Sequence, residues 1–157
     1  MFTKDETSEN FKNEKLEITE NELNELMQFL EIIAEMALKK YENLKRVTKL
    51  LYQSGVPMMT GTDAINPYSY PGYSLHREFE LLKDCGIPDD EILKMATLNA
   101  AGFLNLKDYG QVKPGFVASL VLLNENPLLD IRNSIKINAV VLNGEIFDSE
   151  ALKKLVE

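Results

Sequence analysis

The chain has 157 residues, 45% apolar and 27% charged, with one cysteine, one histidine and a net charge of −8. An acidic balance argues against nucleic-acid binding, which draws on clustered Lys and Arg to neutralise phosphates, and no run approaches the ~18 consecutive apolar residues of a membrane span. Cys85 alone makes no internal disulfide and fits a reducing compartment; Met1 to Glu6 lacks the basic start and apolar core of a secretory signal, so the expected location is cytoplasmic.

The charge is unevenly placed. Residues 1 to 35 hold three lysines against ten acids, a balance of −7 that leaves −1 for everything after, and a solvated acidic face is the plain reading of such a run. Residues 1 to 18 offer only Phe2, Phe11, Leu16 and Ile18 for burial and are expected to be a mobile acidic N-terminus. Helix is predicted from Thr19, because Thr19 and Glu22 have the spacing of a capping box. Apolar residues then recur at helical spacing from Leu23 to Leu51, with a break expected near Lys39 to Asn43 because one helix to Gln53 would be unusually long. Gly55 ends it.

The stretch Gly55-Val56-Pro57-Met58-Met59-Thr60-Gly61-Thr62-Asp63-Ala64 reads as a short buried parallel strand over Val56 to Met59 that stops on small residues and one carboxylate. In parallel α/β architectures the carboxyl end of a strand is where function collects, which singles out Asp63; the alternative is a plain turn whose carboxylate bonds local N–H groups. A loop with Pro67, Pro71, Gly72 and Tyr68, Tyr70 and Tyr73 comes next, suited to binding or to packing onto the domain. Ser74 is the predicted cap of the next helix, with Leu75, Phe79 and Leu82 inward and Gly86 past its last turn. Pro88 opens a further helix at its first position, Asp89, Asp90 and Glu91 facing its dipole and Ile92, Leu93, Ala96 and Thr97 on its buried side. Cys85 has no cation or histidine at a spacing that would activate it and reads as packing.

Past Leu106 the pattern turns β-rich. Strands are predicted over Val117 to Leu123 and Ile137 to Leu142, with a turn at Asn126-Pro127. Asn143-Gly144 joins the second strand to Glu145-Ile146-Phe147 as a two-residue hairpin in which both turn residues need positive φ.

Five pieces of this chain, in order, carry a family likeness: Gly55-Val56-Pro57 leading to Gly61-Thr62-Asp63-Ala64, Leu75-His76-Arg77-Glu78-Phe79-Glu80-Leu81-Leu82, Ala96-Thr97-Leu98-Asn99-Ala100-Ala101, Gly110-Gln111-Val112-Lys113-Pro114-Gly115 and Asn126-Pro127-Leu128-Leu129-Asp130-Ile131. With them the chain resembles the amidohydrolase superfamily of metal-dependent hydrolases, in particular its imidazolonepropionase-like and prolidase-like members, over about residues 40 to 147 and only the C-terminal part of a member. The resemblance implies an α/β fold, the C-terminal fragment of a (β/α)8 barrel plus strands of a small β-sandwich: helices and the last barrel strand over residues 19 to 106, and the C-terminal part of the sandwich over 107 to 157. A complete barrel takes about 250 residues, so most of it does not fit into this length.

The resemblance implies zinc or another divalent metal in the complete enzyme, with Asp63 as metal ligand and as the general base that takes a proton from water and hands it to the departing nitrogen. The family's metal site also needs a His-x-His pair and further histidines, whereas this sequence has only His76, so the chain alone is expected to retain no metal. His76 lies just past the loop and is the candidate substrate contact; it serves equally as a first-turn helix residue bonded to backbone. Ser119 stands where the family usually has Asp. The function implied is hydrolysis of carbon–nitrogen bonds in small cyclic or dipeptide-like molecules, catalytically incomplete in this chain, and the alternative is a non-catalytic remnant or interaction module. An apolar helix stripe without its barrel neighbours needs cover, so self-association or a complementary chain is the expected partner, with no membrane or nucleic acid.

Overall fold

The computed structural model describes residues 18–64 and 66–155, which leaves the expected mobile N-terminus, but for Ile18, outside the described residues. The chain divides into two compact units, Met1–Glu42 and Asn43–Glu157. The described part of the first is the leading stretch of one helix, α1 (Glu20–Gln53), whose remainder belongs to the second. The capping box forms as its spacing predicts: the Thr19 N–H donates to Glu22 Oε2 at 2.9 Å, the Glu22 N–H donates to Thr19 Oγ1 at 3.3 Å, and the hydroxyl donates to the same carboxylate at 2.7 Å. Those bonds favour the ionised form and lower the Glu22 pKa. The expected break near Lys39 to Asn43 is absent, since neither Gly nor Pro interrupts Ala37-Leu38-Lys39-Lys40 and these are good helix formers.

In the second unit the end of α1 turns Lys45, Thr48 and Tyr52 inward at helical spacing, and Tyr52 reaches the core. Two helices come after it, α2 (Tyr73–Asp84) and α3 (Asp89–Lys94); the latter runs through a π-helical turn, Met95–Asn99, into the single turn α4 (Ala100–Phe103). Phe79, Cys85, Ile87, Ile92, Met95 and Ile131 form the buried core, with Met58, Leu75, Leu82, Leu93 and Ala96 packed around it. Cys85 is one of these packing residues, and burial pushes its thiol pKa up.

α2 ends in a Schellman motif. The Gly86 N–H donates to the Lys83 carbonyl at 2.8 Å and the Ile87 N–H to the Leu82 carbonyl at 3.3 Å, which carries Ile87 into the core at 1% exposure. Three local expectations change. α2 starts one residue before Ser74, whose hydroxyl instead accepts from the Tyr70 N–H at 2.7 Å and fastens the tyrosine loop. Pro88 is the extended residue flanking α3 rather than its first helical one. Thr97 is exposed, its hydroxyl donating back to the Leu93 carbonyl at 2.7 Å, and Met95 takes the buried place.

The C-terminal sheet is an antiparallel meander, β1 (Leu120–Leu123), β2 (Ile137–Leu142) and β3 (Glu145–Asp148), in the order β1-β2-β3. β1 begins three residues later than predicted, because the Val117 N–H is spent on the Asp108 carbonyl at 2.8 Å and the ladder starts with Leu120 opposite Val141. The hairpin forms as read, Asn143 at φ 51° and Gly144 at φ 88°, and the Ser119 hydroxyl accepts from the Asn143 N–H at 3.4 Å. Two further elements were not predicted. A 3₁₀ turn, Ile131–Ile135, is capped by Asp130 and drops Ile131 into the core; helix α5 (Ser149–Lys154) is capped by Asp148, whose carboxylate accepts from Glu150 and Ala151 N–H groups at 3.1 and 2.8 Å.

Candidate functional site

The segment from Val56 to Asp63 belongs to no helix or strand, and no strand pairs with it among the described residues, so the strand expected over Val56 to Met59 does not form. A strand is defined by its ladder, and among the described residues the three strands pair only with one another. Side chains and helix ends hold the segment instead. Asn99 Nδ2 donates to the Met58 carbonyl at 2.9 Å, the Thr60 N–H donates to the Met95 carbonyl at 3.4 Å, and the Gly61 N–H donates to both oxygens of Glu78, at 3.0 and 3.2 Å. The loop beyond is closed by Ser69 Oγ donating to the Thr62 carbonyl at 3.1 Å.

Asp63 stands at the end of this pinned segment. It adopts φ 45° and its carbonyl accepts from the Asn66 N–H at 3.0 Å, so a turn does form here, but through the main chain. Among the described residues the carboxylate itself accepts no hydrogen bond and makes no ion pair, and the residue is exposed. A local turn therefore does not account for its acidic group. Its electrostatic neighbour is Glu78, whose pKa is raised chiefly by burial, is opposed by the Gly61 N–H, and is raised further by the Asp63 charge. Two carboxyl groups thus share the end of one segment.

His76 is placed otherwise. Its Nδ1 lies 2.9 Å from the hydroxyl of buried Ser134 and its ring meets Phe79 edge-on, centroids 5.9 Å apart. Burial lowers its pKa, which favours the neutral ring. The Ser134 contact ties α2 to the 3₁₀ turn, and no hydrogen bond joins His76 to Asp63. The residue missed in the sequence is Glu78. At one turn from both Leu75 and Leu82 it falls beside the inward stripe of α2, and a charge in that place was the available signal.

No group of three or more His, Cys, Asp and Glu among the described residues is arranged to hold a metal ion. At this end both Glu78 oxygens accept from the Gly61 N–H and the Asp63 carboxylate carries no hydrogen bond, while His76 engages Ser134 through Nδ1 and its Nε2 joins no group of three donors among the described residues. A zinc site uses three or four protein ligands, so these residues do not by themselves fit one.

The family model described as Amidohydrolase family matches residues 7–147. Imidazolonepropionase of Deinococcus deserti is 34% identical over 82 residues, covering 52% of this chain and 20% of that one. The crystal structure of a Xaa-Pro dipeptidase with methionine bound in its active site superposes with a TM-score of 0.59 at 24% identity, over 67% of this chain and 25% of that chain. The chain therefore spans about a fifth to a quarter of the length of these relatives.

Proposed function

The chain belongs to the amidohydrolase family, and from that membership we propose that it supplies the Asp63-bearing C-terminal part of a metal-dependent hydrolase acting on carbon–nitrogen bonds of small cyclic or dipeptide-like substrates in the cytoplasm. The observation that carries this reading is the Asp63 carboxylate, exposed at the end of a pinned segment with no hydrogen bond of its own among the described residues. In that role Val56 to Met59 takes the place of the last barrel strand and β1 to β3 take the place of part of the sandwich. In the complete enzyme a divalent ion, zinc by family, would activate water, and Asp63 would supply one ligand to it and carry a proton from water to the leaving nitrogen. Glu78 fixes the Gly61 peptide and hence the direction of Asp63. With Nδ1 of His76 engaged by Ser134, Nε2 is the atom assigned to substrate.

Because the described residues do not make a three-ligand site, the chain alone is catalytically incomplete in this reading. Manganese titration monitored by amide NMR tests the role of Asp63. Paramagnetic broadening should begin at Gly61 to Ala64 and vanish in Asp63→Asn, with other signals unmoved; broadening that survives the substitution refutes the assignment. Zinc retained at one equivalent through dialysis, or Xaa-Pro dipeptide hydrolysis by the chain alone, would overturn its incompleteness. The second reading, a non-catalytic interaction module, is favoured by the lack of a three-donor group among the described residues and by the exposed apolar face of α1.

A further inference from the structure

We infer that α1 is a self-recognition element, through which two copies of this chain pair antiparallel along one apolar seam. α1 has 34 residues and buries none of them. One series of residues from Leu23 to Leu51 falls alternately three and four apart, the spacing of a coiled-coil seam, and is apolar but for Lys40, while Met27, Phe29, Ile32 and Met36 lie outside it. The part of α1 in the second unit turns Lys45, Thr48 and Tyr52 inward, so Leu44, Val47 and Leu51 remain exposed, as do Leu30 and Ile33 earlier in the helix.

Charge selects the occupant and its direction. Glu20 to Ala37 carry five acids and no base, while Leu38 to Gln53 carry five bases and one acid. The helix dipole accounts for such a bias only in the first and last turns, whereas Glu31, Glu35, Lys39 and Lys40 lie in the middle. An antiparallel copy sets each acidic half beside a basic one. A parallel copy sets like beside like and places Lys40 against Lys40 within the seam.

One register satisfies the spacing, with Leu30 opposite Val47, Ile33 opposite Leu44, and Lys40 opposite the small side chain of Ala37, where its alkyl stem has room. A strip about 51 Å long and about 10 Å wide offers roughly 500 Å² per chain. The pair then buries about 1,000 Å², the threshold for a specific interface.

The test uses the full-length chain in sedimentation equilibrium. The unsubstituted chain should sediment as two copies at micromolar concentration, and Ile33→Glu as one, with its helical circular dichroism kept. Lys40→Leu, which needs no loss of structure to be read, should lower the dissociation constant by about tenfold or more. Orientation is read in a Cys85→Ala background: a mixture of Ile33→Cys and Leu44→Cys chains should oxidise to a linked pair, while neither alone does. A monomeric unsubstituted chain, a dimer that survives Ile33→Glu, or Ile33→Cys linking to itself would each overturn the proposal.

Discussion

Replacing Gly110 with alanine measures how closely the loop before β1 lies on the π-helical turn. Gly110 has φ +84°, and an added Cβ would stand 2.8 Å from the Thr97 carbonyl oxygen, 2.9 Å from Leu98 Cα and 3.0 Å from Ala101 Cβ. Carbon atoms in comfortable contact are about 3.5–4.0 Å apart, and two of these neighbours are main-chain atoms that no rotamer change can move. The left-handed φ alone costs about 1–2 kcal/mol, and overpacking adds about 1–3 kcal/mol. The expected loss is therefore about 2–5 kcal/mol, a large share of the ~5–15 kcal/mol that holds a domain. Gly144→Ala is the control, since Gly144 has φ +88° with nothing within 4 Å of the added carbon and meets only the first cost. Urea unfolding of the three chains gives both numbers. Equal losses at the two glycines would refute the close approach.

Three further outcomes are expected at the site and in the core. The Glu78 pKa is raised in the folded chain, so its contribution to stability is full below the unfolded pKa and is lost as pH rises through the raised value; Asp63→Asn removes one raising charge and should move the Glu78 carboxyl titration in carbon-13 NMR to lower pH, and an unmoved midpoint would break the link between the two acids. The His76 pKa is lowered by burial, so its contribution is full above the unfolded value, about 6.5, and is lost as pH falls through the lowered one. The difference in unfolding free energy between the unsubstituted chain and His76→Gln should accordingly shrink from pH 8 to pH 5, and a flat difference argues against burial as the cause. Ile92→Ala, at 0% exposure, should cost about 2–5 kcal/mol, whereas Ile146→Ala, 71% exposed on β3, should stay within about 0.5 kcal/mol; comparable losses would misplace the core.

What the sequence disclosed was chemistry closed within a few residues. Thr19 with Glu22, Gly86 after α2, and Asn143-Gly144 each satisfy their own neighbours, and each formed as read. Val56 to Met59 did not, because a strand depends on a second segment to pair with, and the apolar run that suggests one carries no record of whether that segment exists in the same chain. The long α1 was misjudged for a related reason, since length alone suggested a break where no residue type supplied one. At the site, Asp63 was visible by position, whereas Glu78 stood unremarked beside an apolar stripe and the Ser134 contact of His76 spans 58 residues. Asp148 before Ser149-Glu150 was a legible cap left unread.

The π-helical turn Met95–Asn99 sets the phase of the helical turn beyond it. Each residue of an α-helix advances the face by about 100°, so an unbroken helix would put Ala101, nine positions after Ile92, on the side opposite to it. One extra residue in a turn winds the downstream segment back by about one such step. Ala101 then arrives on the flank where Gly110 lies against it, and Asn99 points at the Met58 carbonyl. The wide turn acts as a one-residue clutch between two helical faces. A chain lacking one residue of Met95–Asn99 would wind a more regular helix and let go of the pinned segment that presents Asp63.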